Sequence, residues 1–252
     1  MTTAAASYSD APRWRHVHTF GIIGLIVAIG VIGVWLPRGG DELVYVENPT
    51  LVAWLAIAAL MTLVGIVAGH GITGLARGVL IDDRHRLSLS RLQMLLWTVL
   101  VLSGWMAAAL SNIGRGAAAP LDVAVPSELW LAMGISTASL VASPVALSYK
   151  QSKRPGQVEN LPRQEDSGWA DLFRGEEVSD ADHIDLGKLQ MLLFTVVVIL
   201  GYALALGDLF SFTGIYASLP ALDDAVVSLL LISHAGYIAK KAVPTGPPPS
   251  GD

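Results

Sequence analysis

The sequence predicts an all-α integral membrane protein: a six-helix bundle in which spans three-four and five-six form two parallel-repeat hairpins, with both termini cytoplasmic. Three observations carry this expectation. The chain of 252 residues is 53% hydrophobic and only 15% charged, with a positive mean hydropathy, which is more apolar surface than a soluble domain of this size hides. Six stretches approach the ~20 apolar residues that cross a bilayer. Finally, Leu89-Ser-Arg-Leu-Gln-Met-Leu-Leu-Trp-Thr-Val99 returns 97 residues later as Leu186-Gly-Lys-Leu-Gln-Met-Leu-Leu-Phe-Thr-Val196. The same offset sets Ile135-Ser136 on Ile232-Ser233 and Ala138 on Ala235, so the repeated unit is a whole hairpin, about 86–148 and 183–245.

Residues 1–18 read as a cytoplasmic tail, small and polar over 2–10, ahead of a membrane domain at 19–243. The first span, 19–36, follows Arg13 and Arg15 as a signal peptide would. Its apolar run is too long for one and no small-x-small cleavage site follows, so it reads as a retained anchor. The other spans are 50–75, 89–110, 129–147, 189–210 and 225–242. Small residues are dense: Gly21, Gly24, Gly30 and Gly33 in span one, Gly65-x-x-x-Gly69 in span two, Ala138-x-x-x-Ala142 in span four and Ala235-x-x-x-Ala239 in span six. Such spacing lets helix backbones approach closely. With so many smooth faces, some are expected to serve a homo-oligomer. The outer loops are short. The inner loop 149–187 is long and polar, and the Pro-rich tail 244–252 reads as disordered or polyproline II.

Lys and Arg mark the cytoplasmic side. With the N-terminus inside, the inner segments hold 14 of the 16 basic residues, and only Arg38 and Arg115 fall outside. Both repeat copies then enter from the cytoplasm, which makes them parallel repeats about an axis along the membrane normal. Asp223 and Asp224 open span six and Lys240 and Lys241 close it, as the helix dipole favours.

Composition excludes some chemistry. There are no cysteines, hence no disulfides or thiolate metal sites. His70 and His234 lack carboxylates at helical spacing, so neither a metal nor another cofactor is expected. No basic patch is interleaved with aromatics, so the expected partners are the lipid bilayer and protein rather than nucleic acid. No Asp, Glu, Lys or Arg lies inside a span away from its ends except Asp208, near the outer end of span five, which argues against a proton relay.

Gln93 and Gln190 sit about one turn inside the cytoplasmic face. Gln93 shares a helical face with Trp97 and Gly104, and Gln190 with Phe194 and Gly201. An unsatisfied amide in hydrocarbon is costly, so each is expected to bond across helices. The sharper alternative is a polar ring lining the inner mouth of an oligomeric pore. Thr98 and Thr195 can bond back to their own helices. In the inner loop Trp169, Leu172 and Phe173 recur at helical spacing. They read as a short interfacial helix, or as a contact surface for a cytoplasmic protein, which the tail could also engage.

Two resemblances follow from these residues. Arg91-Leu-Gln-Met-Leu-Leu-Trp-Thr98 with Gly134-Ile-Ser136, and Lys188-Leu-Gln-Met-Leu-Leu-Phe-Thr195 with Ile232-Ser233-His-Ala-Gly-Tyr237, resemble a group of uncharacterised bacterial multi-pass membrane proteins. That group carries Arg-x-Gln-Met-x-x-Trp-Thr opening one helix and Gly-Ile-Ser-x-Gly-x-Tyr in the next. The likeness covers spans three to six, implies a bacterial inner membrane and brings no activity. A fainter likeness is to rhomboid intramembrane proteases, in which a Ser on span four and a His on span six form a catalytic dyad. Ser136 and His234 would be that pair, both about 10–15 Å deep by helical rise. The family's Gly-x-Ser-Gly is Gly-Ile-Ser-Thr here, and the duplication already pairs Ser136 with Ser233 and Thr137 with His234. The leading expectation is therefore non-enzymatic: an oligomeric membrane anchor or scaffold for a cytoplasmic partner. A Gln-lined pore and a Ser136/His234 hydrolase are the alternatives.

Overall fold

The computed structural model describes residues 14–38, 47–153 and 155–243. Both tail expectations, 2–10 and 244–252, lie outside them. Among the described residues the regular structure is helical, with isolated β-bridges but no strands. The six long helices are α1 (His16–Trp35), α2 (Pro49–Thr73), α3 (Leu89–Gly114), α4 (Ser127–Lys153), α5 (Leu186–Ser211) and α6 (Asp224–Ala242). All six are long and apolar enough to cross a membrane. At about 1.5 Å per residue even α6, of 19 residues, comes within about 2 Å of the thickness of a hydrocarbon core of about 30 Å.

Helix ends fall where capping chemistry puts them rather than where hydropathy fades. Pro49 opens α2 at the first turn, where its missing N–H costs nothing. Gly74 closes α2 in the left-handed region (φ 78°), donating its N–H back to the His70 carbonyl. Ser88 caps α3 by accepting from the Arg91 amide, and Asp185 caps α5 by accepting from the amides of Gly187 and Lys188. These two caps stand 97 residues apart in the chain. α4 runs past the apolar span to Lys153, through Pro144.

α3 is the central helix, packed by α1, α2, α4 and α5. Its Trp97 is buried with Trp54 of α2 and with Tyr202, Leu206 and Phe210 of α5 in the main core. Close approaches need glycine at several places, two of them on α1 and α2. A Cβ on Gly33 of α1 would lie 2.2 Å from Leu110 of α3, and one on Gly69 of α2 would lie 2.5 Å from the Val79 backbone nitrogen. α6 packs on α4 and α5. The buried face of α4 reads Leu129, Ala132, Ser136, Ser139, Ser143, Ala146 and Lys150, the alternating three-and-four spacing of a coiled-coil seam. α6 answers with Val227, Leu230, His234, Tyr237 and Lys241. Ala and Ser on one side admit the larger side chains of the other.

Each end of the bundle is closed by folded connections. At the end where α3 meets α4, Asn112 exchanges hydrogen bonds with Tyr216, its Nδ2 donating to the carbonyl (2.8 Å) and its Oδ1 accepting from the amide (2.9 Å). Ala124 pairs with the 217–219 strand-like stretch through two backbone bonds. At the other end, bridge Ile81–Leu87 folds 74–88 on itself, bridges Val158–Glu177 and Arg174–Ile184 fold 155–185 on itself, and the two are joined where the Leu161 amide donates to the Arg84 carbonyl and the Leu87 amide to Asp171. A second small core fills this cap: Leu80, Ile81, Leu87, Leu89, Leu172, Met191 and Tyr237.

Here the structure departs from the interfacial helix expected at Trp169–Phe173. That stretch is a single 3-10 turn, Trp169–Leu172. Its three apolar side chains do not share a face: Leu172 is 4% exposed and enters the small core, whereas Trp169 is 60% exposed. Backbone hydrogen bonding to the cap outcompetes a free amphipathic helix: the Asp185 amide donates to the Phe173 carbonyl and the Gly175 amide to the His183 carbonyl.

Candidate functional site

The cap is held by a network of buried charges. Asp82 organises its first loop, accepting from the backbone amides of Arg84 and Arg86 and pairing with the Arg84 guanidinium at 2.8 Å. His85, between them, takes φ 62°, the left-handed conformation such a tight loop needs. Arg84 then reaches across to Glu176 in the second segment. Glu176 also receives Lys188 of α5 at 2.8 Å and Lys241 of α6 at 3.0 Å. The Tyr237 hydroxyl donates to it at 3.4 Å. Lys241 in turn donates to the Tyr237 hydroxyl at 2.7 Å and to the Ser143 hydroxyl of α4. One carboxylate thus joins a loop and two helices, and through Lys241 a third.

Two further knots flank it. Asp171 accepts from the Leu87 and Gly168 amides and from Arg174 Nε, and Arg86 bridges to Glu159 at 2.6 Å. Lys150, at the end of α4, pairs with Glu177 at 2.7 Å, and Gln157 donates to the same carboxylate. Arg86, Asp171 and Glu177 are each 1% exposed. Burying charges costs several kcal/mol per ion unless each has several partners, a condition met at Glu176, with Arg84, Lys188 and Lys241 around it, and at Asp171.

The electrostatics follow. Burial alone would raise the Glu176 carboxyl, but Lys241, Lys188 and Arg84 together outweigh it and hold it well below the usual carboxylate range. Burial likewise opposes the Arg84 charge, and Glu176 and Asp82 more than restore it, raising its pKa.

The residues singled out from sequence are dispersed. Gln93 is fully buried and its Nε2 donates to Thr195 Oγ1 at 2.6 Å, while Thr195 donates back to the Met191 carbonyl. This bond ties α3 to α5. Gln190 lies on the exposed surface of α5, and Thr98 is partly buried. Ser136 and Ser233 are buried, and neither hydroxyl makes a hydrogen bond. His234 Nδ1 bonds the Leu230 carbonyl at 2.8 Å, which leaves Nε2 without a partner. No hydrogen bond joins Ser136 to His234. His70 meets His18 of α1 at 3.3 Å.

Arg84, Glu176, Glu177 and Ser143 escaped sequence reading. A signal for them existed: the inner loop 149–187 carries nine acids beside its basic residues, and the positive-inside count ignores acids. Pairing across such distances in sequence has no local pattern.

By fold the described chain is helical, with six helices long and apolar enough to cross a membrane and a charge-cemented cap at one end. Comparison with family models, with curated proteins and with solved structures found nothing that matches it.

Proposed function

We propose that this protein is a non-enzymatic, oligomeric scaffold of a bacterial cytoplasmic membrane, with its cap and both termini facing the cytoplasm, where the cap docks a protein partner. The observation that carries this reading is the construction of the cap. Its buried ion pairs fix segment 155–185 to the ends of α4, α5 and α6. Leu172 anchors it, while Trp169 and Phe173 are left at the surface, 60% and 36% exposed. A rigid platform bearing exposed aromatics suits recognition, since aromatic anchors dominate protein interfaces. The basic residues concentrated at this end support the cytoplasmic orientation.

The duplication gains support from the matched caps Ser88 and Asp185. It also favours self-association. On α5, Leu193, Val197, Leu200 and Leu204 are exposed, whereas three of the α3 positions 97 residues earlier, Leu100, Ser103 and Ala107, are buried. In this reading a second copy of the chain takes the place of lipid on that face of α5.

The test is co-purification from native membranes in mild detergent. A cytoplasmic protein recovered in stoichiometric amount with the wild type, and lost from Trp169→Ser/Phe173→Ser while thermal unfolding is unchanged, supports the scaffold. Equal recovery with the variant, or no stoichiometric partner at all, overturns it. A hydrolase reading draws only on the unpartnered Ser136 Oγ and His234 Nε2 on packed helices, and absence of fluorophosphonate labelling at Ser136 removes it. A pore reading finds less support, with Gln93 engaged by Thr195.

A further inference from the structure

Between α3 and α4, beside the cap, lies a cavity of about 380 Å³. Its charged end is formed by Arg84, Arg91 and Lys241 with Asp82 and Asp83, and Ser88 and Ser143 add hydroxyls. About one turn deeper along α3 and α4 the lining is apolar: Met94, Leu95 and Leu140. Asp82 is neutralised by Arg84, and Lys241 is shared with Glu176. Asp83 stands exposed at the rim. Arg91 is different: the residue is partly buried, its amide bonds Ser88, and among the described residues its guanidinium has no ion pair or hydrogen bond.

The second half of the molecule shows what such a position uses. Lys188 stands 97 residues after Arg91, in the same first turn of its helix, and it is buried against the Glu176 carboxylate at 2.8 Å. At Arg91 no carboxylate takes that place; a cavity does. We infer that this cavity binds the phosphodiester of a membrane phospholipid, its phosphate held by Arg91 and its chain against the apolar end. The fork of a guanidinium matches two phosphate oxygens, the Ser88 hydroxyl is a further donor within the lining, and the two-ended lining matches an amphiphile. Basic pockets between membrane helices are known sites for lipid headgroups. The inference rests on the membrane reading above but not on a protein partner, so the two fail separately.

Native mass spectrometry tests it, on protein released from nanodiscs of phosphatidylglycerol and phosphatidylcholine. The wild type keeps one phosphatidylglycerol after activation has stripped bulk lipid. Arg91→Gln lowers that retention by about tenfold, as loss of one charge-assisted pair implies. Arg91→Lys restores part of it, and Arg163→Gln, which removes an exposed cation, leaves it unchanged. Leu140→Trp fills the apolar end with every cation in place and also lowers retention, which separates site loss from misfolding. Unchanged retention in both Arg91→Gln and Leu140→Trp overturns the inference. So does displacement of the lipid by millimolar inorganic phosphate, which would assign the site to a soluble phosphate.

Discussion

Glu176 is the residue on which the cap turns, since three cations share its carboxylate. Glu176→Gln leaves those cations buried and short of a partner. We expect a loss of about 3–5 kcal/mol in thermal or denaturant unfolding, the usual cost of breaking one side of a buried pair. The exposed Glu165→Gln, one loop away, should fall within about 0.5 kcal/mol of wild type. The acid limb of stability carries the same signature. Because the folded carboxyl lies well below its ordinary value of 4.5, its contribution is fully present above that value and is lost as pH falls through the folded pKa. The gap between wild type and Glu176→Gln should therefore stay constant from neutral pH down to about 5 and close only below it. A gap that closes between pH 8 and 6 would show that another group controls it. Gln93 is the contrasting case. Its bond to Thr195 is fully buried, yet intramembrane hydrogen bonds contribute about 1 kcal/mol or less, and Thr195 keeps the Met191 carbonyl when the amide is removed. Gln93→Leu should thus cost under about 1 kcal/mol, and Gln190→Leu, on the exposed face, nothing measurable.

At the scale of the helices, the sequence was most readable where the physics is local. Apolar run length marked all six spans, while their ends were set by Pro49, Ser88 and Asp185, which hydropathy does not weigh. The 97-residue offset between Arg91-Leu-Gln-Met94 and Lys188-Leu-Gln-Met191 was plain because similar helices repeat similar residues. What similar residues do is a different matter. Gln93 is in the core because it faces α5, where Thr195 accepts its hydrogen bond, whereas the face of α5 that carries Gln190 is left exposed. That difference lies in which helix meets which, and no window of sequence contains it. Glycine shows the same dependence. Gly30 and Gly33 look alike in span one, but only Gly33 meets Leu110, while a Cβ on Gly30 meets nothing within 4 Å. Gly33→Ala should destabilise the bundle by about 1–3 kcal/mol through overpacking. Gly30→Ala should be neutral or slightly stabilising. Equal melting temperatures for the two variants would mean that α1 is not seated on α3.

For the whole molecule, the expected orientation is open to a clean measurement because the chain contains no cysteine. Asp122→Cys and Gln151→Cys place single thiols at exposed positions on opposite ends of the bundle. On intact cells an impermeant maleimide should label the first and reach the second only after lysis; the reverse pattern would put the cap outside. The cap itself was the least legible part of the chain. Its contacts join Arg84, Glu176, Lys188 and Lys241, which lie on separate loops and helices, and each of them alone looks like an ordinary charge at a membrane boundary. Their distribution along the chain has a consequence for synthesis. Glu176 is made well before Lys241, which arrives only with the last turn of α6. Until the sixth helix has been translated and inserted, the carboxylate lacks one of its three cations and the Ser143 hydroxyl lacks its donor. Completion of the platform is in this way coupled to completion of the bundle, so a nascent chain arrested before α6 should display a protease-sensitive inner segment that a finished one conceals.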